Sequence, residues 1–149
     1  MAITFKYKRV DRPPPLEPIH SPSIPITLRG PKESIDVVAL VDSGADTSAI
    51  PNSLAEILGL DLTGEPEDIV GIGGKSPAVK TSVYATIQKG HEKYSFQLPV
   101  YALLEKKEDF PVLLGRQGFF DNFDITFKEK ERKIILKKTY ERGYGAKFG

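Results

Sequence analysis

From residue 24 to residue 136 the chain is a succession of short apolar segments, nearly every one cut off by glycine, proline or a charged turn before it reaches helix length. Residues 24–28 and 35–41 read as strands. The Val37-Val38-Ala39-Leu40-Val41 run predicts a strand buried on both faces. Residues 79–88 and 94–103 predict a hairpin turning at Lys89-Gly90 or Gly90-His91. Residues 111–114 form a short apolar strand ending at Gly115, and residues 123–127 and 133–136 a last hairpin around the charged 128–132 turn. Helix is predicted at 51–58, where Leu54, Ile57 and Leu58 share a face and Gly59 follows, and as a turn at Phe119-Phe120. The pattern predicts an all-β barrel or sandwich closed by a few turns of helix. No internal repeat is visible.

Ahead of this region, Ile3, Phe5 and Tyr7 alternate with polar residues and predict an early strand. Six prolines between residues 13 and 25 then predict an extended arm rather than sheet interior, because proline fixes φ and donates no ladder hydrogen bond. The organisation expected is an N-terminal strand and proline-rich arm over 1–23, one domain over 24–138, and a basic tail over 139–149.

Composition removes several chemistries. The chain has no cysteine, which excludes disulfides, zinc ribbons and thiol nucleophiles, and its two histidines, His20 and His91, are far apart in sequence. No metal site or cofactor is expected. Net charge is +1, which argues against a nucleic-acid partner, although residues 128–149 carry 8 basic and 3 acidic side chains. No stretch has the length and apolarity of a membrane span or a signal peptide, so a cytoplasmic protein is expected.

The chemistry-bearing motif is Asp42-Ser43-Gly44-Ala45-Asp46, directly after the apolar run. A carboxylate leaving a strand into a glycine-containing turn is held rigidly and shielded on one side, conditions that fit it for acid–base work. Asp-Ser-Gly is also ordinary turn chemistry. Two further segments shift the balance. Ile69-Val70-Gly71-Ile72-Gly73-Gly74 has the composition of a mobile hairpin tip that approaches a ligand closely. Val112-Leu113-Leu114-Gly115-Arg116 ends a strand in a glycine and a guanidinium able to fork onto a carboxylate.

In this order, the three segments ALVDSGADTSAI, DIVGIGGKSPAV and PVLLGRQGFF resemble the retropepsin-like aspartic peptidases, over about residues 35–136. The resemblance implies a closed β-barrel of the acid-protease type with one or two short helices. It implies that Asp42 is catalytic, that the Ser43 hydroxyl ties two active-site loops together, and that Gly44 keeps the space beside the carboxylates open. Asp46 and Arg116 match the pair that braces the site from behind, and Ile69 to Gly74, centred on Ile72, match the flap that closes over a peptide. Apolar residues beside the scissile bond are the substrate preference implied. Val70 and Lys75 depart from the flap pattern, and the extended termini depart from a minimal retroviral domain.

Such chemistry needs two aspartates, and the sequence holds a single Asp-Ser/Thr-Gly. The second must come from another copy, so the expected enzyme is a C₂ homodimeric endopeptidase using water as nucleophile. The competing reading is a non-catalytic peptide-binding or dimerisation module of the same fold. A phosphate-binding loop at Gly74-Lys75-Ser76 fails because Ile69 stands where its first glycine belongs. A serine nucleophile lacks a GxSxG elbow, and a glycosidase lacks an evident partner acid and a tryptophan.

Overall fold

The computed structural model describes residues 2–71, 74–106 and 110–139. Twelve strands are described: β1 (Ala2–Lys6), β2 (Lys8–Val10), β3 (Ile19–Ser21), β4 (Ser23–Arg29), β5 (Ser34–Val41), β6 (Ala49–Ile50), β7 (Pro66–Gly71), β8 (Gly74–Lys89), β9 (Glu92–Leu103), β10 (Val112–Leu114), β11 (Phe123–Lys128) and β12 (Lys133–Lys138). One α-helix, α1 (Asn52–Leu58), follows β6, and an irregular helical turn spans Arg116–Phe120.

Six strands close on themselves. The hydrogen-bonded order β4-β5-β10-β6-β9-β8 returns to its start through Thr27–Arg29 of β4 pairing with β8, and β7 hangs on β8 as an edge strand. Closure removes the unpaired edges that an open sheet would present. The barrel interior is filled by alternate residues of its strands, among them Ile24, Ile26, Leu28, Ala39, Val41, Val83, Leu98 and Val100. A second sheet, β1-β12-β11, packs against it with Ile3, Phe5, Ile134 and Leu136 facing the same core. Phe119 and Phe123 stack at the seam, 5.3 Å apart between ring centres, with Phe96 5.6 Å from Phe123. These contacts seat the irregular turn that follows β10.

Most predicted elements stand where the sequence puts them, and the β8–β9 hairpin turns at Gly90-His91, where Gly90 takes φ +62°. Three expectations need correction. The proline arm is not all extended linker: Lys8–Val10 and Ile19–Ser21 form a hairpin, while Pro25 lies in β4, within the strand expected over residues 24–28. Pro25 precedes the Thr27–Arg29 stretch where β4 gains its second neighbour, so its missing N–H is tolerated. The 35–41 strand is not buried on both faces. A barrel wall has one inner face, so Ala39 and Val41 are buried while Val38 points outward at 46% exposure. In α1, Ala55 rather than Ile57 completes the buried face with Leu54 and Leu58, and Ile57 is exposed. Pro51 does precede the helix, and Gly59 ends it in the left-handed conformation at φ +75°.

Candidate active site

β5 and β10 run parallel, with Val41 opposite Leu114. Their chain ends therefore leave the barrel side by side, one into Asp42-Ser43-Gly44 and the other into Gly115-Arg116. The two loops are laced together through the backbone. The Asp42 N–H donates to the Leu114 carbonyl at 3.0 Å, the Arg116 N–H to the Ala45 carbonyl at 2.9 Å, and the Gln117 N–H to the Asp46 carbonyl at 2.9 Å.

At Gly115 the two loops approach closely. A Cβ there would lie 2.2 Å from the Thr47 carbonyl oxygen, so only glycine lets the second loop come this near. Its N–H donates to the Ser48 Oγ at 3.0 Å, and Ser48 is 1% exposed. This bond was not anticipated from sequence. Its signal is a small hydroxyl residue where the strand pattern of Ala49-Ile50 calls for an apolar one.

Asp42 itself is half-buried. Its Oδ1 accepts the Gly44 N–H at 2.9 Å, and its carbonyl accepts the Ala45 N–H at 3.2 Å, a turn that fixes the carboxylate over the barrel end. A Cβ on Gly44 would stand 3.3 Å from that same oxygen. Asp46 and Arg116 meet through a guanidinium–carboxylate hydrogen bond on the outer side of the loops. Both side chains are solvent-exposed, so the pair adds little to the stability of the fold.

Asp42 and Ser43 also line a cavity of about 360 Å³ whose other walls include Leu40, Phe127, Tyr7 and Glu129. The last three belong to the second sheet and its connections, which the sequence reading kept apart from the site. The Tyr7 hydroxyl donates to Glu129 Oε1 at 3.1 Å. Burial, and then this bond to a carboxylate and its charge, push the Tyr7 pKa upward.

The flap residues lie on the β7–β8 hairpin. Ile69 pairs with Ser76, Val70 with Lys75 and Gly71 with Gly74, and Val70 is 78% exposed. Ile72 and Gly73 fall outside the described residues. Thus Asp42, Ser43, Gly44, Ala45, Asp46 and Arg116 come together in one loop pair, whereas Ile69, Val70, Gly71 and Gly74 occupy a separate hairpin, and these four described residues do not line the Asp42 cavity. Asp121, the nearest later aspartate to these loops in sequence, has a turn role: its Oδ2 accepts the Gly118 N–H at 3.0 Å.

The aspartyl protease family model matches residues 24–117, the stretch that holds the barrel, the Asp42 loop and the Gly115 loop. The chain belongs to the aspartyl protease family. Its barrel also resembles that of a retropepsin-like aspartic protease from Rickettsia conorii, with a TM-score of 0.52 at 16% identity, covering 91% of this chain and 90% of that one. Two other solved structures are similar over shorter spans. They are the EIAV protease complexed with the inhibitor HBY-793 (24% identity, 68% and 86% coverage, TM-score 0.41) and the retroviral protease-like domain of Ddi1 from Leishmania major (18%, 83% and 97%, 0.46). No curated protein matches the chain. Among the described residues of this aspartyl protease family member, no helix is long and apolar enough to cross a membrane.

Proposed function

We propose that this protein is an aspartic endopeptidase whose active unit is a homodimer, with Asp42 of each copy contributing one carboxylate. The observation that carries the reading is the Asp42 turn, a half-buried carboxylate at the barrel end, fixed by Gly44 and laced to the Gly115-Arg116 loop. One chain supplies one such turn.

In the dimer the two carboxylates share a proton, because like charges so close resist ionising together. The ionised aspartate takes a proton from a water, whose oxygen attacks the scissile carbonyl carbon. The protonated aspartate hydrogen-bonds the carbonyl oxygen as charge builds there. The tetrahedral species then collapses. The C–N bond breaks, and the leaving amine takes a proton from the carboxyl group that gained one from water. Gly44 keeps the water and substrate side of the carboxylate open, and the Asp46–Arg116 pair braces the loop from behind. The β7–β8 hairpin with Val70 would close over an extended peptide.

The test is digestion of a peptide library between pH 4 and 7 by wild type and by Asp42→Asn, with sedimentation of both. The expected outcome is cleavage by a dimer that falls by about 10³-fold in Asp42→Asn. Cleavage that survives the substitution contradicts the proposal, and peptide binding without cleavage by either protein supports a binding module instead.

A further inference from the structure

The cavity beside Asp42 is built from two chemistries. Leu40, Pro22 and Phe127 contribute apolar lining, and Tyr7 and Glu129 contribute polar groups beside those of Asp42 and Ser43. Phe127 is 37% exposed, a large ring left partly open to water at this place.

The Tyr7–Glu129 pair is held in place. Glu129 opens the turn between β11 and β12, and that turn is tied down where β1 ends. The Tyr7 N–H donates to the Arg132 carbonyl at 2.8 Å, the Arg132 N–H to the Glu129 carbonyl at 3.1 Å, and the Tyr7 hydroxyl to the Glu129 carboxylate. Two of the three cations of the same turn, Lys128 and Arg132, face other partners. Lys128 lies 3.9 Å from Glu131, and Arg132 Nη1 is 3.2 Å from His20 Nε2. A carboxylate accepts several hydrogen bonds, so Glu129 keeps acceptor capacity beyond the bond from Tyr7. A substrate side chain seated beside Asp42 thus finds aliphatic and aromatic surface and a carboxylate lining the same cavity. Lysine and arginine have that profile, an apolar stem with a cationic head. An acidic side chain would bring a like charge toward both Asp42 and Glu129.

We infer that this cavity is a subsite for a lysine or arginine of the substrate peptide, the stem lying on Leu40, Pro22 and Phe127 and the cation on Glu129. The inference rests on Asp42 marking the scissile bond. It amends the wholly apolar preference implied by resemblance at one position of the substrate.

The test uses the full chain and sets of otherwise identical peptides carrying lysine, norleucine or glutamate at each residue flanking the scissile bond. Norleucine keeps the stem and removes the charge. At one position lysine is expected to exceed norleucine about fivefold in kcat/KM, a gain sized for a partly solvated ion pair, with glutamate lowest. Glu129→Gln, which keeps an acceptor for Tyr7, is expected to abolish the lysine-to-norleucine ratio, and Glu129→Lys to favour glutamate. Equal rates for lysine and norleucine at every position, or a lysine advantage that survives Glu129→Gln, overturn the inference while leaving Asp42-dependent proteolysis intact. If no Asp42-dependent cleavage occurs, the functional proposal fails. The subsite is then read from the affinities of the same peptides, fluorescently labelled. A lysine preference lost in Glu129→Gln supports it, and equal affinities overturn it.

Discussion

Two glycines a short distance apart do different work at this site, and the difference is measurable. Gly115 sits where a Cβ would penetrate the Thr47 carbonyl, backbone that cannot rotate away. Gly115→Ala is expected to force the two loops apart and cost about 3 kcal/mol, read from the denaturant midpoint. Gly44 has its tight neighbour in a side chain, the Asp42 carboxylate at 3.3 Å. Gly44→Ala is expected to stay within about 1 kcal/mol of wild-type stability. It should lower kcat about tenfold or more, because displacing a reacting group by a fraction of an ångström is costly for catalysis. The opposite pattern, a stable Gly115→Ala or an unfolded Gly44→Ala, would contradict the loop geometry. The sequence made Asp42, Gly44 and Arg116 legible because each stands in an ordered motif. Ser48 was not legible, since its role depends on Gly115, 67 positions away, and no local pattern pairs them.

At the scale of elements, the strand-by-strand reading succeeded where turn residues mark the ends, as at Gly59, Gly90 and Gly115. It failed where burial depends on the far side of the sheet. Val38 looks like core in sequence, yet β5 is a barrel wall and Val38 lies on its outer face, 46% exposed. Nor could the sequence show that β1 pairs with β12, a contact spanning most of the chain, which brings Tyr7 to Glu129 beside Asp42. That pairing carries a pH prediction. The Tyr7 pKa is raised above 10.0 in the folded protein, by burial first and by Glu129 second. Folding therefore favours the neutral phenol. This contribution is fully present below the unfolded pKa and is lost as pH rises through the folded value. The denaturant midpoint should fall as pH rises above 10.0, and Tyr7→Phe should shallow that fall. A fall equally steep in Tyr7→Phe would show that the hydroxyl has no part in it. Tyr101, also raised, leaves a residual slope in the variant.

At the scale of the whole molecule, a closed barrel brings one Asp42 turn to its end, beside a cavity that includes residues from both sheets. The barrel was legible in outline from short strands and turn signals. The choice between barrel and sandwich came from resemblance, because closure depends on β4 pairing β8, which no local periodicity reports. The central claim is that two copies of Asp42 make one active site. Its most direct measurement is activity at constant total protein as wild type is progressively replaced by Asp42→Asn, after subunits have exchanged. If both aspartates are required, a mixed dimer is inactive, and an equal mixture should retain about one quarter of wild-type activity. Activity that falls in simple proportion, to about one half, would mean that each chain works alone and would contradict the account.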